Sequence, residues 1–292
     1  MEIRTLRYFL AVAREEHMTR AAELLHVTQP TLSKQLKSLE EELGQKLFTR
    51  GNFSIRLTEE GRLLRDRAAS LVEMADRIES EFGTLAQPEE GELYFGLAES
   101  VQIRLLAREV GKLKRRCPGL RYHITSGDTE QIIDRLDRGL LDFAVLAERP
   151  DFHKYQAVAF PEADVWGALM PADSPLAAHE SLTVDDLIGV PLLCSEQGWR
   201  GEIAAWCEGR IHELRLDGSC RLPYNPSLFV REGLGVLLTF WGLFDTSPGS
   251  ELAFRPLSPH LETRLYLIWK RHPVFSRMAE QFVKQVEASF SG

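Results

Sequence analysis

The chain is poor in cysteine. Only Cys117, Cys194, Cys207 and Cys220 occur in 292 residues, and no two form a CxxC pair, which excludes a disulfide scaffold and a cysteine-rich zinc site. Free cysteines of this kind are ordinary buried packing residues unless an electropositive setting makes them redox-active. No apolar run approaches the ~18 residues of a membrane span; the longest, Leu234 to Phe244, is too short. Met1 to Arg7 is charged and lacks the apolar core of a signal peptide, so no export and a cytoplasmic location are expected. Other motifs are also missing. Gly233-Leu234-Gly235 has no third glycine, no GxxxxGK[ST] run exists, and His212-Glu213 is followed by Leu216 where a metalloprotease helix needs histidine. No Ser/His/Asp triad can be nominated, so neither a metal, a cofactor nor an enzymatic activity is expected. A general basic coat is lacking too, since 35 Lys and Arg stand against 43 Asp and Glu, a net charge of −8.

What is present is a globular composition, 44% hydrophobic and 27% charged, in a chain long enough for two domains at roughly 150 residues each. Charge is unevenly placed. Residues 1–58 carry nine basic and seven acidic side chains, a net +2, and the other 234 residues carry −10. Three short helical patterns fill the first 43 residues. The first places Ile3, Leu6, Phe9, Leu10 and Ala13 on one face, and the second follows Thr19 as N-cap with Ala21, Ala22, Leu24 and Leu25, ending near His26. The third starts at Thr28 with Pro30 in its first turn, carries Leu32, Leu36, Leu39 and Leu43, and stops at Gly44.

At about 100° per residue those leucines form one stripe, while Gln29, Pro30, Ser33, Lys34 and Lys37 project elsewhere. Two helices joined by the brief His26-Val27-Thr28 turn have the layout of a helix-turn-helix, whose second helix enters the major groove of double-stranded DNA N-terminus first. Gln can pair with adenine, Ser can bond base or phosphate, and Lys can reach guanine or phosphate. An ordinary solvated helix face would carry the same residue types. The weight shifts with Lys46 to Arg50 and Ile55 to Thr58, strand-like runs around a Gly51-Asn52 turn that read as a β wing. Arg50 and Arg56 would lie beside the DNA backbone or in the minor groove, and Phe53 at the tip could equally pack inward.

The ordered set Arg20-Ala21-Ala22, Leu25, Val27-Thr28-Gln29-Pro30, Leu32-Ser33, Leu36, Leu39-Glu40, Leu43-Gly44, Leu47-Phe48, Arg50 and Leu57 to Gly61 resembles the winged helix-turn-helix of LysR-type transcriptional regulators. The resemblance runs without a gap over about the first 85 residues. It implies DNA contacts by Thr28, Gln29, Pro30, Thr31, Ser33, Lys34, Lys37, Arg50 and Arg56. Thr31 and Lys34 stand where the family often has Ala and Arg, and a lysine offers a point charge in place of a two-pronged contact.

After the wing, Thr58 caps a long helix with Glu59 and Glu60 in its first turn. Leu64, Ala68, Leu71, Ala75, Ile78 and Phe82 repeat at alternating steps of four and three, a coiled-coil spacing that also suits packing within one subunit. The resemblance implies a homodimer through this helix, an operator with dyad symmetry, a homotetramer and RNA polymerase as a further partner. The resulting division is a winged helix-turn-helix at 1–58, a coiled-coil linker helix at 59–83, a hinge at 84–91 and a further domain at 92–292.

From Glu92 the pattern alternates: strand at Leu93 to Leu97, helix at Ile103 to Arg116, strand at Tyr122 to Thr125, helix at Thr129 to Arg138 and strand at Phe143 to Leu146. A second cycle begins near Val165, with Pro191 to Cys194, a helix near Glu202 to Glu208 and an apolar stretch at Val236, before Arg264 to Trp269 and a closing helix at Ser276 to Phe290. This order predicts a mostly parallel α/β sheet. With Gly91-Glu92-Leu93, Gly139 to Asp142 and Val230 to Val236, the region is similar to the effector-binding domain of the same regulators. That implies α/β overall, with two subdomains of periplasmic-binding-protein type, at about 92–161 with 263–292 and at about 162–262, and a small-molecule effector between them. The α/β fold alone would also suit a solute-binding protein of a transport system, or an enzyme.

Ligands in such sheets sit beyond the carboxyl ends of strands, near helix N-termini. The expected lining is Glu99, Ser100, Val101, Ser126, Asp128, Thr129, Ala147 and Glu148 on one side, and Ser195, Glu196, Gln197, Tyr224 and Asn225 on the other. The family includes sensors of carboxylates and other small anions. Here Glu99, Asp128, Glu148 and Glu196 face Arg200 as the nearest cation, which raises an amine-bearing or zwitterionic effector beside the plainer reading of Asp and Ser as helix caps.

Overall fold

The protein is described by a computed structural model covering residues 1–50, 55–84 and 89–290. It divides into two compact units, Met1–Ala86 and Gln87–Gly292. In the first, α1 (Ile3–Glu15) buries Leu6, Phe9 and Val12, and it ends where Glu16 turns into the left-handed region at φ 49°. Helix α2 (Met18–Leu24) is capped by His17, whose Nδ1 accepts from the Arg20 N–H at 3.4 Å, so the helix starts ahead of Thr19. A ring nitrogen supplies the acceptor that a Ser or Thr hydroxyl usually gives. Thr28 caps α3 (Gln29–Leu43) by accepting from the Thr31 N–H, and Gly44 at φ 65° ends it. Leu32, Leu36 and Leu39 are buried, whereas Leu43 at the end of the stripe is exposed.

A two-stranded wing follows, β1 (Phe48–Arg50) antiparallel to β2 (Ile55–Leu57). Glu40 fixes its root by accepting from the Leu47 N–H at 2.9 Å and from Lys46 Nζ at 2.8 Å. Burial opposes the charge on Glu40, but these bonds outweigh it and hold the carboxyl below its ordinary range. Thr58 donates to the Lys46 carbonyl at 2.7 Å and accepts from the Gly61 N–H at 2.9 Å, tying the wing to α4 (Glu59–Thr84). A Cβ at Gly61 would stand 2.2 Å from the Leu47 carbonyl oxygen, so the close approach of helix and wing requires glycine. Leu64, Ala68 and Val72 of α4 complete the helix-turn-helix core, and Arg7 of α1 pairs with Asp76 at 2.5 Å. Leu71, Ile78 and Phe82 on the same helix remain exposed.

The second unit is built on β3 (Glu90–Leu97), α5 (Ile103–Arg116), β4 (Gly119–Ser126), α6 (Thr129–Asp137), β5 (Phe143–Leu146), β6 (Tyr155–Pro171), α7 (Val184–Leu187) and β7 (Pro191–Ser195). It continues with α8 (Glu196–Gly198), a π-helical turn at Trp199–Ile203, α9 (Ala204–Trp206), β8 (Arg215–Cys220), α10 (Tyr224–Arg231), β9 (Val236–Phe240), β10 (Leu252–Pro256), β11 (Glu262–Lys270) and α11 (Arg277–Phe290). The strands form one sheet in the order β4-β3-β5-β11-β6-β9-β7-β8, with β10 also on β6. It is mixed, which corrects the expectation of a mostly parallel sheet. Two parallel triplets, β4-β3-β5 and β8-β7-β9, are joined by β6 and β11, which run antiparallel to each other and to their neighbours in the triplets.

The first half of β6 pairs with β11 and its second half with β9 and β10, so this strand passes from one triplet to the other between Asp164 and Trp166. Pro161 lies inside β6, opposite a register shift between Arg264 and Tyr266. A bulge is where a strand tolerates a residue without an N–H. Of the aromatic and aliphatic cores that result, the two largest lie around Phe95, Phe143 and Phe282 and around Trp166, Leu192 and Leu238, and two smaller ones lie around Leu136 and Leu146 and around Leu169 and Leu237. No helix among the described residues is long and apolar enough to cross a membrane.

Candidate functional site: a helix face and a cleft

In the first unit, α3 turns Leu32, Leu36 and Leu39 inward and leaves Thr28, Gln29, Pro30, Thr31, Lys34 and Lys37 exposed, with Ser33 half-buried. Gln29, Ser33 and Lys37 follow one another at four-residue steps along the helix, flanked by Pro30 and Lys34. The Thr28 and Thr31 hydroxyls bond each other at 2.8 Å, which fixes both beside the first turn. Lys37 has an ion pair with Glu41 at 3.4 Å; Lys34 and Arg56 have none among the described residues. Arg56 is exposed on β2. The side chain of Arg50 and the tip residues Gly51, Asn52 and Phe53 lie outside the described residues.

In the second unit, the carboxyl ends of the two parallel triplets open onto one cleft of about 430 Å³. Glu99, Asp128, Thr129, Ala147, Glu148, Ser195, Glu196 and Gln197 all line it. Five other expected residues do not. Ser100 is buried, with its Oγ accepting from the Gln102 N–H at 2.9 Å. Val101 packs beneath Gly242, whose missing Cβ would come within 3.3 Å of it. Ser126 lines a separate shallow depression with Gln131 and Arg135. Tyr224 and Asn225 open α10 and face outward, because β8 ends at Cys220 and the turn after it brings Arg221, Leu222 and Pro223 to the cleft instead.

Other lining residues went unforeseen. Trp166 and Phe240 stand edge to face with ring centroids 4.6 Å apart and form an apolar wall. Trp166 Nε1 donates to Thr263 Oγ1 at 2.8 Å, which fixes the indole. A Cβ at Gly198 would stand 2.6 Å from the Trp166 ring and 2.8 Å from Ser195 Oγ, so the floor of the cleft requires glycine there. The π-helical turn after it carries Arg200 and Glu202 into the lining.

The charge of the lining is one-sided: Glu99, Asp128, Glu130, Glu148, Glu196 and Glu202 against Arg200 and Arg221. Arg221 pairs with Asp128 at 3.4 Å and Arg200 with Glu196 at 3.8 Å. Burial raises the Glu99 carboxyl; burial and the neighbouring charge of Glu148 raise that of Glu202. Beneath the cleft, at the crossing of β6, Asp164 is 1% exposed. Burial lifts its carboxyl to about 6 although the nearby Ser100 hydroxyl favours the charged form. Neither of its oxygens has a partner at full hydrogen-bonding geometry.

Comparison with known proteins adds a family frame. Residues 3–62 match the bacterial regulatory helix-turn-helix protein family of lysR type, and residues 86–291 match the LysR substrate binding domain. The hydrogen peroxide-inducible genes activator of Pectobacterium carotovorum subsp. carotovorum is 33% identical over 198 residues, 68% of this chain and 65% of that relative. The match thus spans about two thirds of the length of such relatives. The Hca operon transcriptional activator HcaR of Escherichia coli strain K12 is 28% identical over 279 residues, 93% of this chain and 92% of its own. Among solved structures, CbnR, a LysR family transcriptional regulator, superimposes with a TM-score of 0.81 at 21% identity over 99% of both chains. Full-length CbnR complexed with target DNA gives 0.80 at 20% identity over 99% of this chain and 100% of that one. Both are likenesses of fold.

Proposed function

Since the chain belongs to the LysR family, we propose that it is a sequence-specific DNA-binding transcriptional regulator whose activity is set by a small molecule held in the cleft of its second unit. One observation carries this reading: α3, capped by Thr28, presents Gln29, Ser33, Lys34 and Lys37 outward from a helix-turn-helix core that matches the family over residues 3–62. Those side chains have the donors and acceptors that read base edges, and the exposed Arg56 of the wing suits the DNA backbone. Thr28, Pro30 and Thr31 shape and cap the first turn, and Arg50 is assigned to the same surface from its place in the sequence.

The solute-binding and enzyme readings explain the cleft but leave the DNA-reading unit without a purpose. The regulator reading brings further elements with it. A homodimer forms through the exposed stripe of α4, two dimers make a homotetramer, and the operator has dyad symmetry to match. RNA polymerase is the partner through which bound protein acts, and the cytoplasm is where it works. The cleft lies between a subdomain of about 92–161 with 263–292 and a subdomain of about 162–262, a division that the two largest cores support.

Peroxide sensing, named for one relative, finds no support in the thiols. Cys194 and Cys220 lie on the paired strands β7 and β8, and burial pushes them up to about 12 and about 11; Cys207 is raised by burial as well. A thiol that reacts with peroxide does so as a thiolate.

Capture of genomic DNA fragments by the purified full-length protein tests the main reading. A discrete dyad site is expected. Gln29→Ala should cost about 1–3 kcal/mol of discrimination at one base position, and Lys34→Ala should lower the salt dependence by about one counterion. Uniform binding along DNA that neither substitution changes would overturn the assignment.

A further inference from the structure

We infer that the cleft selects a small organic cation, an amine or guanidinium carried on a compact apolar body. This rests on reading the cleft as the effector site. The cleft stands as a site on its own geometry, at the convergence of two sets of strand ends, and its volume of about 430 Å³ lies in the range of small-molecule pockets. Charge decides what it takes. Each cation of the lining already faces a carboxylate, Arg221 at 3.4 Å from Asp128 and Arg200 at 3.8 Å from Glu196. Glu99, Glu130, Glu148 and Glu202 have no ion pair among the described residues, so an entering carboxylate meets an excess of negative charge.

The helix starts at the cleft do not reverse this sign. The Gln131 N–H at the start of α6 donates to Asp128 Oδ1 at 2.9 Å, and the Gly198 N–H donates to Ser195 Oγ at 3.1 Å. Side chains thus occupy donors that would otherwise favour an anion. The raised carboxyls of Glu99 and Glu202 point the same way, since a cation beside them would restore their charged form. In the same lining, Trp166 and Phe240 supply an apolar wall for the body of the ligand. A bare metal ion fits less well, because no group of three or more carboxylates, histidines or cysteines among the described residues is close enough to hold one.

The test uses the full-length protein with agmatine, putrescine and phenethylamine as probes, each against a carboxylate of similar length without a cationic group: pimelate, succinate and 3-phenylpropionate. Calorimetry and melting temperature are the readouts. At least one plain amine probe should bind and raise the melting temperature, with an affinity that falls as salt rises. Glu202→Gln and Glu148→Gln should each weaken it by about tenfold or more without lowering the unliganded melting temperature, since each removes a repelling carboxylate. If pimelate, succinate or 3-phenylpropionate binds and the amines do not, the inferred sign of the ligand is wrong and the cleft survives as an effector site. If no probe binds, to the free protein or to the DNA-bound one, the inference fails, while the DNA-binding reading stands or falls on the DNA capture alone.

Discussion

Asp164 imposes a cost on the fold that depends on pH. A carboxyl raised from its usual range to about 6 binds its proton more tightly in the folded chain than in the unfolded one. Its contribution to stability is therefore fully present below about pH 4 and is lost as pH rises through about 6. At 1.4 kcal/mol per unit, two units amount to a decline of about 3 kcal/mol. Denaturant unfolding followed across this window should show the decline, and Asp164→Asn, which cannot ionise, should flatten it. A variant with the wild-type slope would mean that the decline comes from a group other than Asp164. Asp164 sits where β6 passes between the two triplets, two residues before Trp166 of the cleft.

At the scale of the element, α4 has two faces that repeat one heptad. Ala68 is fully buried in the helix-turn-helix core with Leu64 and Val72 beside it, whereas Phe82 is 71% exposed and Leu71 and Ile78 are nearly half exposed. A charge should therefore do different things at the two places. Ala68→Asp should destabilise the unit by roughly 3 kcal/mol or more, because a buried unpaired charge has nothing to offset its desolvation. Ile78→Asp should shift the mass seen in sedimentation toward smaller species and lower the melting temperature only by what association contributes, an effect that fades on dilution of the unsubstituted protein. An unchanged mass would place the dimer contact elsewhere.

This division was not legible in the sequence, where the 4-3 spacing served both purposes equally. The ends of α3 were legible, because Thr28, Pro30 and Gly44 act through local backbone chemistry. The start of α2 was not, since His17 is an unusual cap. Pro161 hid the first half of β6 by interrupting a strand at a bulge. β8, an edge strand reading Arg215-Leu216-Asp217-Gly218-Ser219-Cys220, has no apolar alternation to announce it, and with it went Arg221 to Pro223 of the cleft. The strand-end rule did find lining residues beyond β3, β4, β5 and β7, with the helix caps Asp128 and Ser195 marking the turns after β4 and β7. Trp166 and Phe240 read as core aromatics, and only the crossing of β6 brings them to the cleft.

For the whole molecule, the two proposed activities are bound by a thermodynamic constraint that needs no knowledge of how the units are arranged. If a cation in the cleft changes the affinity for the operator by some factor, the operator must change the affinity for that cation by the same factor. A ligand that binds both settings of the cleft equally changes nothing, however tightly it holds. Coupling of about 5- to 150-fold is the usual range for such regulators of binding. The measurement is a pair of titrations at one salt concentration: operator into protein with and without saturating agmatine or whichever amine binds, and that amine into protein with and without operator. Equal factors are expected, larger or smaller than one according to whether the effector tightens or releases DNA. The same factor should shrink toward one in Glu202→Gln, because weakening the carboxylate contact lowers the ligand's preference for the setting that uses it. A coupling factor and an amine affinity that Glu202→Gln both leaves intact would show that the amine acts from outside the cleft, and the link between the acidic lining and the DNA-reading helix would be broken.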